Sequence, residues 1–479
     1  MSSSKIVSNS VLILSSEVLD RILRLVLVLV APRLLGAAAY GKFHFAITYT
    51  NLFLIIADFG VHQLLVRDIS RNPDNTSRLV ANGFTLKVAL SSITIVLIYL
   101  IGHYNGKPAF DMKAAYILGW AMIAGSFCEF FSSVFRARQK MLYDAVGTLL
   151  FGVVVNIVGL TVLFSGYDFV MFSGAYLVAQ LVRLLYCFIV YNLKFERLRI
   201  GWDGSLIKLL ATEGFTFGIL FFFALLYTNI DSQMLSYMTN DETVGWYGAA
   251  YRLITAMMFI PVALMKVVFP ALSQYFEKSP EKFKALFEQS FKVLFLVGFV
   301  IASIVSSLAG KIVLMFGSEY APAAGALQIL VWANAIIFIG TVQTHATRAS
   351  NHQKFTAKVV ASSAVLNVIL NLFLIPKYSL YGAAFATVAS EIFTFTFHSV
   401  YLNRKLVAPP IFKLGPKIGF ISLSILFYLY IMYNVSLYIT IPTSILLSIA
   451  LVFITRYFSR EELLFMKQML KKPGKIAIS

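Results

Sequence analysis

The sequence predicts an all-α integral membrane protein of about 14 transmembrane helices. Three observations predict it. Of the 479 residues, 59% are hydrophobic and 13% charged, where a soluble domain averages about 25% charged. Apolar stretches run almost end to end and give a mean hydropathy of +0.80. The loops between them alternate between rich and poor in Lys and Arg. Roughly 20 apolar residues cross a bilayer as a helix because every backbone N–H and C=O is then satisfied within the segment.

In chain order the expected spans are 11–34, 43–65, 86–103, 114–135, 146–165, 169–191, 212–238, 245–272, 293–309, 324–347, 359–376, 383–401, 418–433 and 437–457. They use most of the chain, so no sizeable soluble domain is expected. The first is read as a span and not as a removable signal peptide, because Glu17, Asp20, Arg21 and Arg24 interrupt the apolar run and no small-residue cleavage site follows. Cys128 and Cys187 both fall inside spans and read as packing residues, not as a disulfide or metal framework. No cofactor is expected.

Loop charge sets the orientation. With the N-terminus in the cytoplasm, 29 of the 40 Lys and Arg sort to that side, 6 to the other, and 5 lie within spans. Lys87 is counted among the cytoplasmic 29. The bias over short loops predicts a multi-pass protein of the cell (cytoplasmic) membrane with both termini inside. The formal charge of +18 is then a matter of topology and contact with anionic membrane lipids, not of nucleic-acid binding.

Two inner segments are candidates for helices lying on the membrane surface. Ser279-Pro280-Glu281 offers an N-cap, a Pro at the first helical position and an acid in the first turn, ahead of Phe283, Leu286 and Phe287. Ser459 to Glu462 fits a capping box before Leu463, Met466 and Leu470. The competing reading of both is a charged end of the adjoining span.

The chain also repeats itself. Tyr40-Gly41, entering the second span, echoes Tyr247-Gly248, entering the eighth. Arg136-Ala-Arg-Gln-Lys140 echoes Arg348-Ala-Ser-Asn-His-Gln-Lys354, each a turn between the fourth and fifth spans of its half. The expected organisation is residues 1–200 as a first lobe of six spans, 201–405 as a second, and 406–479 as an extra span pair with a basic tail. Transporters are often built from such repeats.

Residues Arg33-Leu-Leu-Gly-Ala-Ala-Ala-Tyr-Gly41, Ala57-Asp-Phe-Gly60 with Arg67-Asp-Ile-Ser-Arg71, and Asn367-Val-Ile-Leu-Asn-Leu-Phe-Leu-Ile-Pro376 with Gly382-Ala-Ala carry a family likeness. Over its first 12 spans the chain resembles Wzx-type polysaccharide flippases of the multidrug/oligosaccharidyl-lipid/polysaccharide (MOP) exporter superfamily, which also holds MurJ and the MATE exporters. The resemblance implies two six-helix lobes in a V around a central cavity. It implies flipping of a polyprenyl-diphosphate-linked oligosaccharide, the repeat unit of a surface polysaccharide, from the inner to the outer leaflet. A polysaccharide polymerase machinery is the implied downstream partner. In MurJ, an extra helix pair borders a groove for the lipid tail.

Ionisable groups at bilayer depth are costly unless they meet water or a partner, so they are functional candidates. Glu17, Asp20, Arg21 and Arg24 fall within one arc of the first span at about 100° per residue. Arg252 and Lys266 share a face of the eighth, and Glu213 and Asp231 a face of the seventh. His44, Thr48, Asn51, Asp58 and His62 form a stripe on the second. Thr387, Glu391, Thr394 and His398 do so on the twelfth. The guanidinium's forked donors suit a diphosphate, so Arg21, Arg24, Arg252 and Lys266 are the candidate substrate-binding residues. Asp58, Asp231 and Glu391 are candidates to bind a coupling H⁺ or Na⁺. Glu17, Asp20, Asn51, Glu213 and His398 are candidate polar cavity residues. The bland reading of Glu17–Arg21, Asp20–Arg24 and Asp58–His62 is pairing one turn apart along a helix, and that of Arg183 with Gln180 is a lobe-internal pair.

No phosphate-binding G-x-x-x-x-G-K-[ST] loop is present, so the energy source would be an ion, potential or substrate gradient. No catalytic triad, HExxH or paired-carboxylate spacing stands out, and the protein is read as a transporter and not an enzyme. The alternatives are a lipid II-type flippase, a MATE-type cation-coupled drug exporter, which would favour acidic cavity residues, and a membrane glycosyl-polymerase. The polymerase would need a long outer loop, and the outer loops here are short.

Overall fold

The computed structural model describes residues 25–459 together with Leu19, Leu23 and Glu462; at 215–217, 219–221 and 224 it describes the backbone alone. Among the described residues the regular structure is entirely helical. The chain forms two compact units, Met1–Gly245 and Trp246–Ser479. The first contains α1 (Leu25–Leu35), α2 (Ala37–Asp58), α3 (Val61–Arg71), α4 (Thr76–Tyr104), α5 (Ala109–Ala137), α6 (Met141–Phe164), α7 (Phe169–Lys194), α8 (Gly204–Met238) and the first turn of α9 (Asp241–Met257). The second continues with the rest of α9, then α10 (Phe259–Lys278), α11 (Pro280–Val313), α12 (Ala323–Ala349), α13 (Gln353–Tyr378), α14 (Leu380–Lys405), α15 (Ile411–Ile431) and α16 (Leu437–Ile454). Among the described residues, eleven segments are long and apolar enough to cross a membrane, α9 and α10 counting as one. Of the fourteen expected stretches, the first extends beyond the described residues, and α2 and α8 are not among the eleven.

Two expected spans are interrupted, each for a local reason. The second breaks after Asp58, where Phe59 and Gly60 are both left-handed (φ 43° and 71°). A left-handed pair cannot continue a right-handed helix, so His62 starts anew on α3. The eighth breaks at Met258, three residues before Pro261. Proline lacks an N–H and crowds the preceding turn.

The two echoing turns share one backbone pattern. After α5, Arg138 N–H donates to Val134 O, Gln139 to Arg136 and Lys140 to Phe135, with Gln139 at φ 57°. After α12, Ser350 donates to Ala346, Asn351 to Arg348 and His352 to Thr347, with Asn351 at φ 64°. The six-to-one bond closing each set is the Schellman ending, which satisfies carbonyls the helix leaves free. At the other end of the first unit, α2 meets the first turn of α9. A Cβ on Gly41 would lie 1.9 Å from Asp241 O, and one on Gly245 would lie 2.0 Å from Ala37 O. Only glycine allows backbones this close.

In the first unit, Val61, Leu65, Phe130, Phe131, Val134 and Tyr191 centre one core, where α3 to α5 and α7 meet. In the second, Phe287, Phe291, Leu294, Phe338, Ile421 and Ile425 centre another, on α11, α12 and α15. The expected surface helix at 280 is instead the first part of α11. This is one unbroken helix of 34 residues that buries Phe283, Leu286 and Phe287. Ser279 stands at its N-cap without a side-chain cap bond. The capping box near the end is formed: Ser459 N–H donates to Glu462 Oε2 (2.7 Å) and Glu462 N–H to Ser459 Oγ (3.2 Å). Leu463, Met466 and Leu470 lie outside the described residues.

The extra pair α15–α16 rests on α11 through Ile418, Ile421, Ile425 and Leu429. Lysines on α11 hold it at both ends. Lys292 pairs with Glu462 (2.7 Å) beside the Tyr457 ring. Lys311 donates to Val435 O (2.7 Å) and sits 5.0 Å from the centroid of Tyr433.

Candidate functional site: a charge-balanced cleft in the first unit

Three helices, α2, α5 and α7, leave a cleft of about 250 Å³ around the middle of α5 and α7 and along the second half of α2. Its polar lining comes from Asn51 and Asp58 of α2, Ser126 and Glu129 of α5, and Tyr176, Gln180 and Arg183 of α7. Gly125 makes room for it, since a Cβ there would stand 2.9 Å from the Gln180 amide nitrogen.

The charges around this cleft pair off. Asp58 accepts from the ammonium of Lys87 and from the hydroxyl of Ser126. Glu129 holds Arg183 (2.9 Å) with one oxygen and Arg136 (3.1 Å) with the other. Arg136 also reaches Asp144 (3.0 Å). Three acids thus face three bases, each acid bonded to at least one base; of the six, Asp58, Glu129 and Arg183 line the cleft and Lys87, Arg136 and Asp144 lie outside its lining. Two polar atoms of the lining have no hydrogen-bond partner among the described residues: Gln180 Oε1 and Arg183 Nε, both buried.

Lys87 corrects the charge sorting. It is only 1% exposed, inside α4, and is not a loop residue. Helix α4 starts at Thr76, three turns ahead of the apolar run, so the lysine enters the bundle with it. The Asp58–His62 pair is likewise replaced, because the Phe59-Gly60 break turns His62 onto another helix and Lys87 takes its place. Arg183 pairs with Glu129 and not with Gln180. Glu129 went unnoticed in the sequence although an acid inside the fourth span was a sufficient signal.

The other candidates disperse. Glu17, Asp20, Arg21 and Arg24 lie outside the described residues. Glu213 on α8 forms a salt bridge to Arg67 (2.5 Å). Asp231 is buried on α8. Its neighbours Ser232 and Gln233 tie that helix to α2 through His44 (3.0 Å) and Thr48 (2.7 Å). Polar ties of this kind are how helices associate in lipid. Asn51 reaches Asn229 at 3.5 Å. In the second unit Arg252 is half-buried on α9, Lys266 exposed on α10 and Glu391 buried on α14. His398, 1% exposed, contacts Thr394 O (2.9 Å) and Thr356 Oγ1 (3.4 Å), so it packs between α13 and α14. Asn367 and Asn371 bond each other (3.0 Å) in a buried position. Outside the spans, Asp203 caps α8 and pairs with Arg78. Ser205, Arg78 and the Leu206 N–H hold its carboxyl well below the usual range.

Residues 6–276 match the family described as "polysaccharide biosynthesis protein", and residues 217–373 match MatE. The chain is 23% identical over 378 residues to a probable low-salt glycan biosynthesis flippase, Agl15, of Haloferax volcanii, covering 78% of each. It is 20% identical over 400 residues to the capsular polysaccharide biosynthesis protein CapF of Staphylococcus aureus, covering 81% of this chain and 97% of the other. Among solved structures, lipid II flippase MurJ in an inward closed conformation superimposes with a TM-score of 0.76 at 14% identity, covering 96% of this chain and all (100%) of that one. An inward-facing multidrug resistance MATE transporter of the MOP superfamily gives 0.62 at 12% identity, covering 80% and 98%.

Proposed function

Because the chain belongs to the polysaccharide biosynthesis protein family, we propose that it is a flippase. It carries a polyprenyl-diphosphate-linked oligosaccharide from the cytoplasmic to the outer leaflet by alternating access, with both termini inside, and hands it to a polymerising machinery there. The observation that carries this reading is coverage. The MurJ fold extends over 96% of the chain and the MATE fold over 80%. That favours a lipid-linked substrate over a drug-like cation. The relatives named for glycan and capsule biosynthesis point to an oligosaccharide as the cargo. Lipid II itself is the second reading, on the MurJ likeness alone.

In this reading Arg21, Arg24, Arg252 and Lys266 receive the diphosphate, the arginines through forked hydrogen bonds that a lysine cannot reproduce. One of Asp58, Asp231 and Glu391, all buried inside helices, binds the driving H⁺ or Na⁺. The test is transport of lipid-linked oligosaccharide in proteoliposomes under imposed pH and Na⁺ gradients, with lipid II as comparison cargo. Wild type is expected to move the oligosaccharide and Arg252→Ala to lose at least tenfold in rate with normal insertion. Arg252→Lys should recover part of it. Full activity of Arg252→Ala removes the diphosphate role, and absence of any transport by wild type removes the flippase reading. Unchanged gradient dependence in Asp58→Asn, Asp231→Asn and Glu391→Gln places coupling elsewhere.

A further inference from the structure

We infer that the cleft between α2, α5 and α7 is a subsite for one neutral pyranose ring of the translocated glycan. The inference rests on the flippase reading for the source of the sugar, and on the geometry for the site.

An ion site needs uncompensated charge. Here Asp58, Glu129 and Asp144 are each already bonded to Lys87, Arg183 or Arg136. While those pairs hold, the cleft offers a free cation or anion little net attraction, and Asp58 would take the coupling ion proposed above only on giving up Lys87. The cleft offers a polyhydroxy ligand a great deal. Carboxylate oxygens accept from hydroxyls, and each ionised oxygen keeps capacity after its first bond. The amides of Asn51 and Gln180 both donate and accept, which matches vicinal hydroxyls that also do both. Glu129 lines the cleft and is 40% exposed at its side chain, so its carboxylate stays within reach of a ligand.

Two atoms beside the cleft lack partners. Gln180 Oε1 and Arg183 Nε are buried without a partner among the described residues. Buried polar atoms are almost always bonded, and an orphan calls for a cause. Each of the two is enclosed, so a ligand hydroxyl reaches it only when the side chain turns toward the cleft; Gln180 Oε1 would then accept from it and Arg183 Nε donate to it. Tyr176 lines the same cleft, and an aromatic ring supplies an apolar face for the C–H side of a sugar. The volume of about 250 Å³ lies just under the roughly 300–1,000 Å³ of drug-sized ligand sites, which fits one ring and not two. The cleft lies around the middle of α5 and α7, the depth at which transporter substrates bind.

The test is equilibrium binding to the full-length protein in lipid nanodiscs. The probe is the oligosaccharide released by mild acid from the host's own surface glycan. NaCl and inorganic phosphate are comparison titrants. Two variants address the site without removing an ion pair. Gly125→Ala intrudes on the cleft and needs only the flexible Gln180 amide to shift. Gln180→Leu keeps the bulk and removes the hydrogen bonds. Each is expected to weaken sugar binding at least tenfold with an unchanged melting temperature, while neither salt competes. Sugar binding unchanged in both variants overturns the subsite, as does a wild type that binds Na⁺ or phosphate there but no sugar. The same variants in the flipping assay separate the two readings. If wild type and both variants flip with equal kcat and KM, the subsite falls and the flippase stands. If wild type flips nothing, the flippase falls and the binding titration alone decides the subsite.

Discussion

Lys87 and Asp58 show how a buried pair behaves at single-residue scale. Each is almost fully enclosed, Lys87 at 1% exposure and Asp58 at 5%. Removing one partner leaves the other charged and unsolvated at a cost of about 3–5 kcal/mol, whereas apolar replacement of both can be neutral. Lys87→Met alone should therefore lower the melting temperature sharply, and Lys87→Met with Asp58→Leu should restore most of the loss in a thermal unfolding scan. An additive double variant would show that the two do not act as a pair. Gln139 carries a milder cost. It sits at φ 57°, where a residue with a Cβ loses about 1–2 kcal/mol. Gln139→Gly should stabilise by roughly 0.5–1 kcal/mol, and Gln139→Val should do the reverse. None of this could be read from the sequence by residue type alone. Asp58 and Glu129 were visible as acids in apolar runs, and Asp58 was singled out for that reason. Their partners come from other helices, and helical periodicity says nothing about which helix lies opposite.

At the scale of elements the sequence was more legible, because apolar runs are long and the lipid constrains them. Helices α5 to α8 and α11 to α16 all appear where apolar runs placed them, most ends lying further out, while those of α6, α15 and α16 fall one to three residues short. The movement has a cause: polar and charged residues such as Thr76 and Lys284 continue a helix beyond the hydrocarbon, where hydropathy falls. The capping box at Ser459 was legible because its bonds are local. The Phe59-Gly60 break was not, since a Phe at positive φ has no compositional signal. The terminal box yields a pH prediction. Burial pushes the Glu462 carboxyl up, but Lys292 and the Ser459 N–H more than reverse it and leave it below its ordinary value. A carboxylate depressed in the folded state contributes stability above its unfolded value of about 4.3 and loses it as pH falls through the lower folded value. Hydrogen exchange over residues 437–459 should stay slow at neutral pH and accelerate only below about pH 4.3. In Glu462→Gln it should be fast at both, and a pH response unchanged in that variant would sink the assignment.

For the whole molecule, the strongest expectation concerns orientation. Cysteines placed at Asn105, Ser318 and Lys475 should label from outside at the first two positions and not at the third, and the reverse pattern would invert the topology. The turns at Arg136 to Lys140 and Arg348 to Lys354 echo each other only faintly in letters, yet they share one set of hydrogen bonds. The lysines of α11 carry a consequence of another kind. Lys292 and Lys311 are nineteen residues apart on one helix, about 28 Å at 1.5 Å per residue, close to the roughly 30 Å of a bilayer's hydrocarbon core. On that spacing the two cations that pin the last helix pair would stand at the two water boundaries, where an ammonium costs least. Between them the pair is free of charge on its supporting helix. The fastening works like a gauge cut to membrane thickness: a thinner bilayer would expose it and a thicker one would drag an ammonium into oil. The grip on α15 and α16 should therefore be tuned by acyl chain length, weakening in lipids much longer or shorter than the native ones.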